Sequence, residues 1–192
     1  MIPIQRRFFV GFAAVACACV TIAALVQAVP QDTQPENSAD QWKPMRYFLG
    51  SWEGTGEGFG QKSKVHRTYE FILEGKFIFS KNKSVFESPN DGSPGETHED
   101  WAIFSYDTGR EKFVLRSFHV EGFVNQYVLK SMTPDGRTIV FVTEHIENIE
   151  PGWRARETYH ILSDDEFEET FELAAPGGDF KVCVSNRLRR KK

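Results

Sequence analysis

Cysteine is scarce in this chain, with three among 192 residues. Cys17 and Cys19 fall in an apolar leader, which leaves Cys183 without an internal partner. A disulfide-stapled miniature domain is therefore excluded, and stability must come from a sizeable core. Cys183 also has no His or Asp near it in sequence, so it reads as a small packed residue rather than a nucleophile. Positive charge is in deficit: the formal net charge is -4, and losing Arg6 and Arg7 with the leader would take it to -6. No broad basic surface is implied, which argues against nucleic acid as a partner. Neither G-x-S-x-G nor H-E-x-x-H occurs, so no nucleophile or zinc-protease constellation is offered. After residue 50 no helical stretch is long enough for a crossover, and this excludes a parallel sheet.

What is present begins with the leader. Arg6 and Arg7 precede an uncharged, mostly apolar run from Phe8 to Val26, followed by Val26-Gln27-Ala28, small residues at the positions a signal peptidase reads. Residues 1–28 are expected to be a signal peptide, giving an exported, periplasmic or secreted protein that starts at Val29 and has no stable membrane span after cleavage. A retained anchor and lipid attachment at Cys17 are the alternatives. Residues 29–39, rich in Gln, Asp, Pro and Ser, read as a disordered spacer. The remaining 40–192 allow one core and not two.

The organising stretch is Gly50-Ser51-Trp52-Glu53-Gly54-Thr55-Gly56-Glu57-Gly58-Phe59-Gly60. Every even position is Gly or Trp52, so one face of a strand here is bare except for an indole. A phosphate loop is excluded by the strict two-residue repeat and by Glu53 and Glu57. Before it, Asp40 is placed to cap a short turn that sets Trp42, Met45, Phe48 and Leu49 roughly on one side.

From residue 50 onward the period is two. Strands are expected near 50–59, 64–74, 76–86, 97–106, 112–119, 123–131, 137–147, 152–162, 165–174 and 179–188, separated by turn signals such as Glu74-Gly75, Asp107-Thr108-Gly109 and Pro134-Asp135-Gly136. The fold class is all-β: an antiparallel up-and-down barrel of about ten strands, entered by a short helical turn. One face is the apolar one in several strands, carrying Val65, Tyr69, Phe71 and Leu73, then Phe113 and Leu115, then Phe123, Tyr127 and Leu129. Lys81 and Lys83 break this pattern, and predict a bulge or an edge in the third strand. In the central hairpin a three-residue loop, Val120-Glu121-Gly122, pairs His119 with Phe123, Ser117 with Asn125 and Leu115 with Tyr127. A one-residue slip is the rival and would turn Arg116 inward.

Polar groups on the inward face are then Arg67, Ser117, His119, Asn125, Thr143, His145, Glu157, Glu169 and Asn186, with three tyrosine hydroxyls. Such groups must be paired or solvated. Two readings follow: a self-satisfied network, for example Arg67 with Glu157 or Glu169, and a cavity whose few polar groups orient a mostly apolar ligand. The second is preferred, with Arg67, His119, Asn125, Tyr127, His145 and Tyr159 as the binding residues and a small apolar or amphipathic molecule as the partner. No catalytic residue and no metal ligand is assigned. His98-Glu99-Asp100 is a compact donor cluster, but neighbouring strand residues point to opposite faces, so it reads as a solvated strand entry. Asn82-Lys83-Ser84 fits a glycosylation acceptor.

The run Phe48-Leu49-Gly50-Ser51-Trp52-Glu53-Gly54-Thr55-Gly56-Glu57-Gly58 resembles the opening of nitrobindin-like haem-binding barrels and of related lipocalin-like families. The resemblance implies a calycin-type barrel and, as alternatives to simple ligand carriage, haem chemistry with NO or peroxynitrite, or a lipocalin-like isomerase. In lipocalins an arginine near the chain end packs on the tryptophan, a role that falls here to Arg187 or Arg189 on Trp52. The chain departs from the nitrobindin pattern at Phe59-Gly60, where those proteins carry Tyr-Pro. Residues 161–192 also hold no His to serve as iron ligand, so His119, His145 or His160 would have to substitute.

Overall fold

A computed structural model describes residues 40–88 and 95–192. The leader and spacer expected over 1–28 and 29–39 lie outside the described residues, none of whose helices is long and apolar enough to cross a membrane. The ten strands are β1 (Gly50–Gly58), β2 (Gln61–Ile72), β3 (Phe77–Phe86), β4 (Thr97–Asp107), β5 (Lys112–His119), β6 (Val124–Met132), β7 (Thr138–Glu147), β8 (Arg154–Ser163), β9 (Glu166–Ala174) and β10 (Lys181–Arg190). Each pairs antiparallel with its sequence neighbours, and β1 pairs with β10 to close the barrel. Closure removes every unpaired edge.

A 3-10 turn at Arg46–Phe48 stops one end. Asp40 holds the turn that leads into it, accepting from the Trp42 amide at 3.2 Å and from Arg46 Nε at 2.6 Å. Trp42, Met45 and Phe48 are buried as expected. Phe48 sits with ring centroids 5.2 Å from both Tyr159 and Phe167, and its carbonyl accepts from Trp52 Nε1 at 2.6 Å. These aromatic contacts form the dry end of the interior.

The expected arginine partner of Trp52 is corrected. Arg190, not Arg187 or Arg189, lies over the indole at 4.2 Å, and donates to the carbonyls of Leu49 and Tyr47 at 2.6 and 2.7 Å. The register gives the reason. Trp52 pairs with Arg190, so even-numbered residues of β10 share its face, while Arg187 and Arg189 point outward to Glu166.

The third strand carries neither bulge nor edge. Its registers with β2 and β4 run without a shift. A four-residue turn, Leu73 to Lys76, pairs Ile72 with Phe77 and thereby exchanges odd for even, so Ile78, Ser80, Asn82 and Ser84 point inward. Lys81 and Lys83 face solvent beside Trp101 and Glu99. Leu73, expected inside, lies in that turn with a positive φ of 49° and is 70% exposed. Asn82, buried inside the barrel, is not an accessible glycosylation acceptor.

The central hairpin has the preferred register: Ser117 pairs with Asn125 and Leu115 with Tyr127. Gly122 takes φ 90° and its amide bonds the His119 carbonyl at 2.8 Å, closing the three-residue loop.

The bare face of β1 serves the closure. A Cβ added at Gly54 would stand 1.9 Å from the Arg187 carbonyl oxygen, backbone that cannot swing aside. Gly54→Ala is expected to cost about 1–3 kcal/mol, the usual range for overpacking, read as a lower denaturation midpoint with an unchanged m-value. An unaltered midpoint would show that β10 does not approach β1 this closely.

Candidate functional site

Beyond the aromatic stopper the barrel holds a cavity of about 350 Å³, within the range of small-molecule sites. Its walls combine Phe86, Ala102, Phe104, Phe171, Leu173 and Val184 with a belt of polar side chains. Exposed Phe59 and Glu96 stand among its lining residues, so the cavity opens at the end away from the 3-10 turn.

The belt starts from Arg67 on β2. Its guanidinium contacts the Glu169 carboxylate of β9, and both side chains are almost fully enclosed. Burial opposes a charged guanidinium most strongly, but Glu169, the Tyr69 oxygen and Asp100 together outweigh it, and Arg67 is held ionised well above its already high value. Nε donates to Asn82 Oδ1 at 3.1 Å and Nη1 to the Tyr69 hydroxyl at 3.3 Å. Burial pushes the Tyr69 phenol up to about 12, so it remains protonated. Asn186 Nδ2 donates to the second Glu169 oxygen at 2.9 Å. Asn82 Nδ2 carries the chain to β4, donating to Asp100 Oδ2 at 2.7 Å.

At the mouth, His98 lies between two carboxylates. Its Nε2 is 3.3 Å from Asp100 and its Nδ1 is 2.7 Å from Glu121. The Asp100 hydrogen bond and then Glu121 raise the imidazole to about 9 against the effect of burial. Burial would lift the Asp100 carboxyl, yet His98 and Arg67 together hold it below the usual range. His119, directly opposite Asp100 on β5, stacks on Phe123 with centroids 4.4 Å apart. Its pKa is lowered by burial.

A second branch runs behind the wall. Asn125 Nδ2 lies 3.2 Å from His119 Nε2 and donates to the Tyr127 hydroxyl at 2.9 Å; that hydroxyl donates to Glu157 Oε1 at 3.3 Å. Burial, then the neighbouring Glu169 charge, raise the Glu157 carboxyl well above its ordinary value. One oxygen each of Asn125, Glu157 and Asn186 is fully buried with no protein partner among the described residues.

Of the six residues expected to bind, Arg67, His119 and Tyr159 line the cavity. Asn125 and Tyr127 are fully buried beside it and reach it through His119 and Glu157. His145 is on the outer face, and its expected inward position is corrected. A register shift between Gln126 and Tyr127 pairs His145 with outward Gln126, while Tyr127 stays opposite Thr143. A bulge leaves no mark in a two-residue alternation. The reading of His98-Glu99-Asp100 as a solvated strand entry is corrected, since His98 and Asp100 line the cavity, as does Asn82, which carried no binding role in the sequence analysis. His98 and Asp100 are two apart and share the inward face of β4, and the cross-strand partner His119 completes the group.

No family model matches the sequence, and no curated protein matches it. Among solved structures the chain is similar to Rv2717c from M. tuberculosis, with 17% identity, a TM-score of 0.62 and coverage of 80% of this chain and 99% of that one. That likeness establishes a shared barrel fold. Weaker matches are the S-type phycobiliprotein lyase CPES from Guillardia theta (12% identity, TM-score 0.49, 78% of this chain and 92% of that one) and a de novo designed fluorescence-activating β-barrel (15% identity, TM-score 0.41, 76% and 95%).

Arg67→Met would leave Glu169 buried and uncompensated, and is expected to cost about 3–5 kcal/mol. In a double-mutant cycle, adding Glu169→Met should restore much of that loss. Strict additivity in denaturant unfolding would show that the two groups do not interact.

Proposed function

We propose that the chain is an exported barrel that binds a small, largely apolar molecule in its interior. The observation that carries this reading is the 350 Å³ cavity, stopped by aromatics at one end, open at the other, and walled by both phenyl and hydrogen-bonding groups. Its apolar walls would supply affinity by burial, at ~25 cal/mol per Å². Arg67 is spoken for by Glu169, so orientation of a polar end falls to groups with spare capacity: Ser84, Ser117, His119, the Tyr159 hydroxyl and the enclosed carboxyl of Glu157, whose raised pKa favours a neutral donor. Three buried oxygens without protein partners are consistent with an interior not built to be complete by itself. Export rests on the Arg-led apolar leader and its small-residue cleavage signal.

Ala102 and Ser117 are paired neighbours on the cavity wall. Ala102→Leu and Ser117→Leu should each weaken binding of the amphipathic dye 1-anilinonaphthalene-8-sulfonate by about tenfold, or about 1.4 kcal/mol, with the fold retained by circular dichroism. Dye affinity untouched by both substitutions would place binding outside the barrel.

The haem reading finds less support. His98 and His119 are the only histidines among the cavity-lining residues. The first is engaged by two carboxylates, the second by Asn125 and Phe123. A flat macrocycle would have to lie against the polar belt of Asp100, Glu157 and the Arg67–Glu169 pair as well as the phenyl walls. This lining supports a small apolar molecule better than haem. Protein purified from haem-supplemented cells is accordingly expected to lack a Soret band, and a band abolished by His119→Ala would reverse that conclusion.

A further inference from the structure

We propose that the mouth of the cavity is a binding site for one divalent first-row transition ion, held by His98, Asp100 and His119. One donor atom from each lies within 4.8 Å of the other two. The strands dictate this convergence. Asp100 and His119 are direct partners in the β4–β5 ladder, and His98, two residues before Asp100, projects from the same face. The two imidazole rings stand 5.8 Å apart, with the carboxylate beside them. Two nitrogens and one oxygen form a donor set that suits zinc and its neighbours better than calcium or magnesium, which take oxygen ligands.

The surroundings of the three residues match what metal ligands require. A ligating histidine usually hands its second ring nitrogen to a carboxylate or another fixed acceptor, which sets its tautomer. His98 does this: Nδ1 faces Glu121 Oε1 at 2.7 Å and leaves Nε2 towards Asp100. Asp100 is fixed by Asn82, itself anchored on Arg67. His119 is held by its stack on Phe123, and its Nε2 lies 3.2 Å from the Asn125 side-chain amide; ligation through Nδ1 requires that amide to turn its otherwise unpartnered oxygen towards Nε2–H. A bound ion would lie between His98 Nε2 and Asp100 Oδ2, 3.3 Å apart, in place of the contact that joins them.

All three ligands line the cavity. A tetrahedral ion held by three protein donors keeps one position open. Under the ligand-carrier reading above, that position would take a carboxylate, phenolate or other lone-pair donor at one end of the bound molecule. Uptake of the ion itself depends on no organic ligand.

The test uses purified protein, stripped by chelation and extracted with organic solvent, titrated with Zn²⁺ by calorimetry and with Co²⁺ by visible absorption. We expect one Zn²⁺ per chain and the intense d–d bands of a low-coordinate Co²⁺ site. His98→Ala and His119→Ala should each weaken Zn²⁺ by more than the ten- to hundredfold typical of an outer-shell change. His145→Ala and His160→Ala, both on the exterior, should leave it unchanged. Because the alanine variants alter a packed wall, Glu121→Gln at the exposed rim gives an independent check, with an expected loss of about ten- to hundredfold. Absence of stoichiometric Zn²⁺ uptake, or uptake that persists in both His98→Ala and His119→Ala, overturns the site. Dye binding in the same samples reports separately on the carrier reading, so failure of one is distinguishable from failure of the other.

Discussion

The contact between Arg67 and Glu169 constrains the rest of this interior. Two opposite charges buried between β2 and β9 are not a net source of stability, because desolvation consumes most of their attraction. They are tolerated only while the two charged groups themselves are hydrogen-bonded on their remaining sides. Asn82, Tyr69 and Asn186 exist in that sense for the pair, and Asp100 and His98 follow from Asn82. A side chain too large or too greasy at any of these places would strand a charge. The polar half of the barrel is thus kept narrow in chemistry and incompletely filled, which is why a cavity survives there.

The opposite half obeys the ordinary rule of dense packing. Phe48, Trp52, Tyr159 and Phe167 pack ring against ring, largely edge to face, and the 3-10 turn adds Trp42 and Met45 as a stopper. The barrel therefore has a dry end that supplies stability and a wet end that carries chemistry. The separation follows from sequence composition along single strands. On β3, Ile78 lies at the dry end and Ser80, Asn82 and Ser84 lead towards the mouth.

Most of the fold was legible because hairpin meanders are local: alternation located the strands, glycine-bearing turns separated them, and the absence of crossover helices fixed the antiparallel sense. The hairpin of β5 and β6 could be registered because only Gly122 tolerates its turn geometry without cost. Legibility failed wherever parity changed. The four-residue turn before β3 exchanged its faces, a change that Lys81 and Lys83 signalled but that a bulge or an edge explained equally well; a bulge in β6–β7 turned His145 outward and left no mark in the alternation of β7. The polar network was half legible for a related reason. Arg67 and Glu169 could be named as partners from sign and face alone. The grouping of His98, Asp100 and His119 needed the β4–β5 pairing, which no pattern within β4 contains.

The seam between the first and last strands has a temporal meaning. Arg190 reaches Leu49 across 141 residues of chain, and Trp52 waits for the same guanidinium. Nine of the ten ladders join sequence neighbours and can form as the polypeptide emerges; the tenth cannot. Until β10 is in place, β1 has no partner on that side and the indole lacks its guanidinium. Loop-closure entropy must be met before such a distant pairing is rewarded, so the seam is the costliest of the ten ladders to close.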